Sequence, residues 1–438
     1  MKDERFYVYR ILKDFQDSGK DLKFIRNKFI GNKSGLNHSR ILVLTNEIVR
    51  WESRLDLWLE SVLVKPLLNL SDKVRIILRI GAYELLLDEG VPDYAAIASC
   101  VDLTRKIAGN RFTGLVNAVL RKLTRIDPCQ FPGSRGDIHA ETRWLSFPHW
   151  IVERWTKQFG KTKTVELCNY FNLPAVQDIR LNLNKMDSEE FMAIMDSAEI
   201  KIEPWKNSSR FFRLEKGTSR LLSNNLFKNG TISLQDRGTG AMVELLDPQP
   251  GETVLDVCAA PGTKTAYIAE RMESKGQVYA SDISRNRLEM AKLDSKRHAP
   301  IINWSIKDAA EDLFPAADRI LVDAPCTGTG VMGRRPDLRW RRKPGHIQEM
   351  ADIQVALLNN MCRFLKPGGI LVYGTCSLEK EENWDVVNAF LKLNAQFVID
   401  SGRNFIPQDW LGGKGVMSTD PVRHKVDGMF AVRFRYKC

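Results

Sequence analysis

The feature that most constrains this fold is a regular alternation of short apolar runs and helical patterns from residue 237 onward. Such alternation is typical of α/β proteins, in which a mostly parallel sheet carries helices on both faces. We predict strands that include residues 253–257, 277–280, 319–322 and 370–374. Polar or reactive residues follow these runs, and ligands in open α/β sheets bind at the carboxyl ends of strands. The sequence therefore predicts a functional site at that edge of the sheet.

The composition narrows the choice of partner and compartment. A net charge of +11 over 438 residues favours a polyanionic partner, with RNA or DNA ahead of an anionic membrane, although a merely basic enzyme also fits. The start does not resemble a signal peptide, and no run approaches the roughly 20 apolar residues of a membrane helix. We therefore expect a cytoplasmic protein without membrane contact.

The 8 scattered cysteines contain no Cys-x-x-Cys pair and predict neither a metal site nor a disulfide framework.

The α/β region of residues 237–438 is preceded by three other parts. Residues 1–127 show helical periodicity almost throughout and predict an all-helical domain with a basic face. Residues 128–139 are rich in proline and glycine and predict a linker. Residues 140–236 predict a small α+β subdomain that binds RNA.

One strand of that subdomain carries candidate contact residues. Residues 177–184 alternate between apolar and polar side chains, as a half-buried strand does, and this places Arg180 and Asn182 on the polar face. These two side chains either contact RNA or lie on a solvated strand face.

The helical domain resembles a known RNA-binding domain. Its motifs are Leu-Arg-Ile-Gly-Ala-Tyr-Glu-Leu-Leu at 78–86, Val-Pro at 91–92 and Gly-Leu-Val-Asn-Ala-Val-Leu-Arg at 114–121. They are similar to the NusB-type helical domain over most of residues 5–125. The resemblance implies RNA contact rather than catalysis.

The turn after Asp256 predicts a nucleoside site. The small residues Ala259, Ala260 and Gly262 let the backbone approach a ligand closely, and the next helix offers free amides to a carboxylate or phosphate. The segment matches neither Gly-x-Gly-x-x-Gly nor the P-loop pattern, which argues against a dinucleotide or a nucleoside triphosphate.

Two acidic residues after the following strands extend this hypothesis. Asp282 stands where an acid would bind ribose hydroxyls, and Asp308 follows the third strand, where it could contact an adenine edge. A nucleoside with a carboxylate tail, S-adenosylmethionine, fits the set. The alternative is that both residues are turn or cap residues.

Two cysteines and an acid at strand ends suit methylation of cytosine at carbon 5. A thiolate that adds to carbon 6 makes carbon 5 nucleophilic, and this divides one hard step into two easier ones. Asp323 can stabilise the ring at its N3 edge, and Lys264 can lower the pKa of the attacking thiol. On chemistry alone, Cys326 and Cys376 are interchangeable in these roles.

Three motifs together resemble the RNA (cytosine-5) methyltransferases over residues 234–434. They are Asp-Val-Cys-Ala-Ala-Pro-Gly-Thr-Lys-Thr at 256–265, Asp-Ala-Pro-Cys at 323–326, and Thr-Cys-Ser at 375–377 with Glu-Glu-Asn at 381–383. With the NusB-like domain, the whole chain is similar to the RsmB/Sun (Fmu) family of small-subunit rRNA methyltransferases.

This resemblance implies a Rossmann-like catalytic domain, S-adenosylmethionine as the cofactor and small-subunit rRNA as the partner. The sequence indicates no obligate protein partner. It makes Cys376 the nucleophile and Cys326 the helper in product release, with Asp323 and Lys264 as further catalytic residues. The positions that it implies for cofactor binding are Cys258, Ala259, Ala260, Pro261, Gly262, Thr263, Lys264, Asp282, Arg287, Asp308 and Asp323. Two alternatives stay open: the same chemistry on tRNA, and a non-catalytic RNA-binding assembly factor.

The chain departs from the family pattern at Thr263, where the family has glycine. A β-branched residue cannot adopt a positive φ cheaply, so either this position needs no left-handed conformation or the loop is reshaped, with a consequence for cofactor affinity.

A basic segment after Cys326 completes the candidate features. Basic side chains interleaved with an aromatic suit phosphate contact and base stacking, whereas the alternative is a solvated loop. The residues are Arg334, Arg335, Arg339, Trp340, Arg341, Arg342 and Lys343.

Overall fold

The computed structural model describes residues 4–31, 33–133, 136–298 and 301–437. These residues form two compact units. The first takes in the described residues up to Pro174 together with Met332–Arg342, and the second takes in Ala175–Val331 and the described residues from Lys343 onward. The domain boundaries that we drew from the sequence differ from this division and stay predictions.

The first unit is helical. Its helices are α1 Glu4–Ser18, α2 Leu22–Phe29, α3 His38–Arg50, α4 Glu52–Val62, α5 Asp72–Leu86, α6 Asp93–Ile107, α7 Thr113–Leu123, α8 Ile138–Leu145, α9 His149–Phe159 and α10 Lys161–Asn172. Buried residues such as Trp58, Ile77 and Leu120 form its core. A glycine at 81 lets α5 approach α7, because a Cβ there would lie 2.7 Å from the Leu120 methyl carbons.

The second unit begins with a four-stranded antiparallel sheet in the order β2-β3-β1-β4. The strands are β1 Gln177–Leu181, β2 Lys201–Pro204, β3 Phe211–Lys216 and β4 Ile232–Leu234, and the helices among them are α11 Ser188–Ser197, α12 Thr218–Ser223 and α13 Asn225–Lys228. Phe191 of α11 packs on Phe212 of β3 with 4.9 Å between ring centroids. The helix therefore covers one face of this sheet.

The other face of the small sheet is also buried, which corrects the prediction for β1. Arg180 and Asn182 are 1% and 5% exposed, so they neither contact RNA nor lie on a solvated face. The Arg180 guanidinium pairs with Glu270 at 2.7 Å and lies over the ring of Tyr267. The alternation of residues 177–184 predicted a polar face that is open to solvent. This face instead packs on the helix of the α/β region that carries Tyr267 and Glu270.

A mixed sheet organises the α/β region, in the order β10-β12-β9-β8-β5-β6-β7, with β11 paired to β12. Its strands are β5 Thr253–Asp256, β6 Gln277–Asp282, β7 Asn303–Ile306, β8 Ala317–Asp323, β9 Leu365–Thr375, β10 Phe397–Asp400, β11 Met417–Ser418 and β12 Phe430–Tyr436. Strands β5 to β9 are parallel, and β12 runs antiparallel to β9. The chain reverses its direction of progress between β5 and β8, which is where ligands bind in doubly wound sheets.

The remaining helices are α14 Arg237–Leu246, α15 Thr263–Arg271, α16 Arg285–Ser295, α17 Asp337–Arg341, α18 Gly345–Met361, α19 Trp384–Leu393 and α20 Pro421–His424. All belong to the second unit except α17, which lies in the first. Helix α18 ends at Met361, and Leu365 already pairs with Ala317 as the first residue of β9. In the described part of the chain, no helix has the length and apolar character needed to span a bilayer.

Candidate active site

The loop from β5 to α15 takes its sharp turn at Gly262. This residue has a φ of 94°, in the left-handed region, and a Cβ there would lie 3.2 Å from the Cβ of Ala291. Thr263 is the first residue of α15 and has no positive φ. The departure from the family pattern therefore falls on a position with helical backbone, which a β-branched residue tolerates.

Two of the predicted cofactor residues hold this loop. Asp282, at the end of β6, is 3% exposed and accepts hydrogen bonds from the amides of Ala260, at 3.3 Å, and Ser284, at 2.9 Å. Arg287 donates to the carbonyl oxygen of Ala260 at 2.6 Å. Asp308 lies farther along the same sheet edge and accepts from its own turn at Ala310. Both Asp282 and Asp308 thus accept hydrogen bonds in turns, which agrees with the alternative that they are turn or cap residues. Asp282 also lies at the end of its strand, where an acid that binds ribose hydroxyls was predicted.

Asp256 gives the loop an unsatisfied acceptor. Its Oδ2 accepts from the Thr265 hydroxyl at 2.6 Å, whereas its buried Oδ1 has no hydrogen-bond partner among the described residues. Burial, reinforced by the charges of Asp323 and Asp282, raises the pKa of Asp256 to about 7. A buried carboxylate oxygen without a donor, beside small residues, fits a ligand that carries an ammonium group.

The two cysteines lie against each other at the ends of adjacent parallel strands. Asp323 of β8 is in register with Gly374 of β9, so the loops that follow both strands start side by side. The Sγ atoms of Cys326 and Cys376 are 3.1 Å apart. The hydrogen bond to Cys376, together with burial, raises the pKa of Cys326 well above that of a free thiol.

An ion pair completes the cluster. The Nζ of Lys264, on α15, lies 2.5 Å from the Oδ2 of Asp323. Burial alone would lower the pKa of Lys264, but the Asp323 carboxylate and, to a smaller extent, Asp256 and the Cys376 sulfur raise it overall. Lys264 is therefore a stable cation next to the thiol pair.

The structure thus brings together the four residues that the sequence nominated for catalysis, at the ends of β5, β8 and β9. Sequence reasoning gave no role to Gln354, Glu382 and Asn383, which hold the loops around both cysteines. The available signal was the polar run Glu-Glu-Asn at 381–383, five residues after Cys376.

Part of the basic segment of residues 334–343 is buried, whereas contact with RNA was predicted for it. Arg339 is completely buried in the first unit, with its guanidinium 3.9 Å from the ring centre of Phe147, and Trp340 donates to the carbonyl oxygen of Val49 at 2.7 Å. The oxygens that accept from Arg339 are the carbonyls of Arg50, Ser146, Phe171 and Met332 and the side chain of Asn172. The predicted contact of Arg339 with RNA is wrong, because this side chain lies in the core, and Trp340 is partly buried against the same core.

The doubly wound sheet, with a loop of small residues at its switch point, is the kind of fold and site that binds a nucleotide or nucleoside cofactor. Within the described ranges, no cluster of side chains is suited to a metal ion.

Comparisons with known protein families assign each part of the chain. The model of 16S rRNA methyltransferase RsmB/F matches residues 243–435, that of the NusB family matches residues 3–125, and that of an RsmF/B-like ferredoxin-like domain matches residues 147–219. The chain belongs to the RsmB/F family of methyltransferases. The predicted fold class, with its NusB-like first part, and the predicted cofactor are confirmed.

Individual relatives agree with this assignment. A probable ribosomal RNA small subunit methyltransferase B of Bacillus subtilis is 34% identical over 348 residues, 77% of each chain. A probable ribosomal RNA small subunit methyltransferase B of Synechocystis is 31% identical over 402 residues, 89% of each chain. Among solved structures, that of PH0851 covers 99% of both chains with a TM-score of 0.79 at 25% identity. That of NSun6 from Pyrococcus horikoshii covers 67% of this chain with a TM-score of 0.60 at 22% identity, a likeness of fold.

Proposed function

We propose that this protein methylates carbon 5 of a cytosine in small-subunit rRNA through a covalent adduct with Cys376. The observation that carries the proposal is the thiol pair, with 3.1 Å between the sulfurs, beside the ion pair of Lys264 and Asp323. Few reactions need two thiols, an acid and a cation at one cofactor edge. Methylation of an unreactive ring carbon needs a nucleophile, a charge stabiliser and a means of releasing the product.

The reaction begins when the Cys376 thiolate adds to carbon 6 of the cytosine. The new Sγ–C6 bond moves the electron pair of the C5–C6 double bond to carbon 5. Bound S-adenosylmethionine supplies the methyl group that carbon 5 takes up. Lys264, kept cationic by Asp323, faces the Cys376 sulfur as the positive charge of the site.

Release of the product reverses the addition. The carbon-5 proton leaves, its bonding electrons restore the C5–C6 double bond, and the Sγ–C6 electron pair returns to Cys376. The Cys326 sulfur accepts that proton after its own thiol proton has passed to solvent, and the raised pKa makes the resulting thiolate a strong base. Asp323 passes a proton from the Lys264 ammonium to N3 of the ring as the thiolate adds, which offsets the charge that develops there, and returns this proton on release of the product.

The choice of substrate rests on the relatives and the charge. The two curated relatives described above are named for the small ribosomal subunit, and a net charge of +11 suits a phosphate-rich partner. The target base must leave its stack to reach a site at a sheet edge.

Bisulfite sequencing of total RNA tests this proposal in a strain that lacks the gene. We expect one cytosine of small-subunit rRNA to lose its resistance to bisulfite, and the wild-type gene to restore it. Loss of resistance at a tRNA cytosine, or at no cytosine, would overturn the substrate assignment.

Complementation with cysteine variants tests the mechanism in the same strain. Cys376→Ala must not restore methylation. Cys326→Ala is expected to leave protein bound covalently to the RNA, visible as a band shift in a denaturing gel that Cys376→Ala lacks. Full turnover by Cys376→Ala would exclude Cys376 as the nucleophile.

A further inference from the structure

A buried carboxylate lies behind the two thiols. Glu382 is fully buried and stands between the loop that follows β9 and the start of α19. One of its oxygens accepts from the amide of Thr327 at 2.8 Å, and the other accepts from the hydroxyl of Ser377 at 2.6 Å. Thr327 follows Cys326 and Ser377 follows Cys376, so a single side chain links the residues that follow the two cysteines.

The same carboxylate acts together with Gln354 of α18, which is also fully buried. The Gln354 amide donates to Glu382 at 3.1 Å and to the carbonyl oxygen of Pro325 at 2.9 Å. Pro325 and Thr327 are the two neighbours of Cys326. Gln354 and Glu382 therefore fix the main chain on both sides of this cysteine.

The neighbouring Asn383 does the same for the other thiol. Its Oδ1 accepts from the hydroxyl of Thr375 at 2.6 Å, and its Nδ2 donates to the carbonyl oxygen of Ser377 at 2.9 Å. Glu382 thus bonds to residues of both loops, whereas the Asn383 side chain bonds to the two neighbours of Cys376.

We propose that Glu382 is a positioning residue that holds the Cys326 thiol against Cys376 for release of the methylated base. This inference rests on the proposed function. Glu382 touches no reacting atom in the mechanism, and it acts through Thr327 and Ser377. Its charge also raises the pKa of Cys326, after the hydrogen bond to Cys376 and burial, and so keeps Cys326 from competing as the nucleophile.

The number of donors explains why an amide cannot replace this acid. Glu382 accepts from the amide and the hydroxyl of Thr327, the hydroxyl of Ser377 and the amide of Gln354. An ionised carboxylate has about four acceptor sites, whereas a glutamine offers one oxygen and brings two donors of its own. Glu382→Gln therefore retains the size of the side chain but loses some of the hydrogen bonds that Thr327, Ser377 and Gln354 donate to it.

The experiment compares two readouts for Glu382→Gln, Cys326→Ala and wild type. One is the rate of methyl transfer to the RNA under multiple turnover, and the other is the fraction of enzyme held as covalent adduct with the RNA. We expect Glu382→Gln to lower turnover on the order of 10²-fold, as a displaced catalytic group does, while the adduct fraction rises above wild type. A purely structural role would lower turnover and adduct together, and that result would overturn the inference.

Two further variants keep the test decisive. Asp385→Asn makes the same change from acid to amide on an exposed side chain three residues away, and should leave both readouts at wild-type values. Thr327→Val removes one hydroxyl donor with little change of shape, and should move both readouts in the same direction as Glu382→Gln but less far. If Glu382→Gln does not fold, an unchanged ratio of adduct to turnover in Thr327→Val overturns the inference.

The proposed function has separate controls in the same experiment. If Cys376→Ala still forms adduct, the covalent mechanism is wrong and Glu382 has no release step to assist. If Cys376→Ala forms none and Cys326→Ala accumulates adduct, but Glu382→Gln behaves as wild type, only the role of Glu382 is wrong.

Discussion

The two halves of the segment between β8 and α18 use buried polar groups in opposite ways. The first half carries Cys326 and ends at Val331 in the second unit, and the second half is Met332–Arg342 in the first unit. In the first half, a thiol meets another thiol at 3.1 Å beside a charged pair. In the second half, the Arg339 guanidinium is surrounded by carbonyl oxygens and an aromatic ring.

The two halves differ in how their buried polar groups are satisfied. The first half lies next to a carboxyl with a raised pKa and includes a thiol with a raised pKa, and such shifts cluster where chemistry occurs. The second half places most of its donors on main-chain acceptors, as structural clusters do. Arg339 also has a pKa lowered by burial and by Arg50, so a perturbed pKa alone does not identify a catalytic group.

The largest effect is expected for Asp323→Asn, which tests the catalytic half. Turnover should fall by about 10² to 10⁴-fold, because the variant loses an acid–base group and the partner of Lys264. The measurement is methyl transfer to rRNA, with circular dichroism and urea unfolding to show that the variant is folded. Asp318→Asn is the control, since Asp318 lies on the same strand and pairs with Lys366. An equal loss of turnover in Asp323→Asn and Asp318→Asn would show that Asp323 has no special catalytic role.

Arg339→Met tests the structural half. The variant should lower the free energy of unfolding by about 3–5 kcal/mol, because several buried acceptors lose their donor. Urea unfolding followed by circular dichroism measures this change. Affinity for S-adenosylmethionine below the unfolding transition should stay within about twofold of wild type, as expected for a stability effect away from the site. A stable Arg339→Met protein with weakened RNA binding would reverse our interpretation of this half.

Asp256→Asn tests the raised pKa next to the catalytic half through the pH dependence of the free energy of unfolding. The pKa of Asp256 is about 7 in the folded protein, above its ordinary value near 4, so ionisation opposes folding. The resulting loss of stability sets in as the pH rises from about 4 through 7, and it amounts to a few kcal/mol at most. Relative to wild type, Asp256→Asn should therefore be more stable at pH 8.5 than at pH 5 in urea unfolding. An equal difference at both pH values would contradict the raised pKa.

The smallest effect is expected for Arg335→Ala, which also serves as the matched control for Arg339. Arg335 is 47% exposed and pairs with Asp21. Exposed ion pairs contribute little, so the free energy of unfolding should change by less than about 1 kcal/mol. A loss as large as that of Arg339→Met would show that the segment, rather than the buried guanidinium, carries the stability.

Sequence patterns were sufficient for the sheet and the strand-end residues. Apolar runs and small residues identified the loop after β5, and the parallel order brought Asp323 and Cys376 to one edge. The patterns failed where burial depends on distant packing. Arg180 and Arg339 look like surface arginines, because alternation and local charge do not reveal which helix will cover them. The role of Glu382 was equally hidden, since its partners come from three separate segments.

The position of Met332–Arg342 limits how this protein can be divided. A fragment that starts at residue 175 would still contain these residues, but without the helices on which they fold. Met332, Leu338 and the Arg339 guanidinium would then face water in a loop only a few residues from Cys326. Chimaeras that exchange front halves among relatives should therefore exchange this insert as well, because the two pieces are one folding module encoded at two places in the gene.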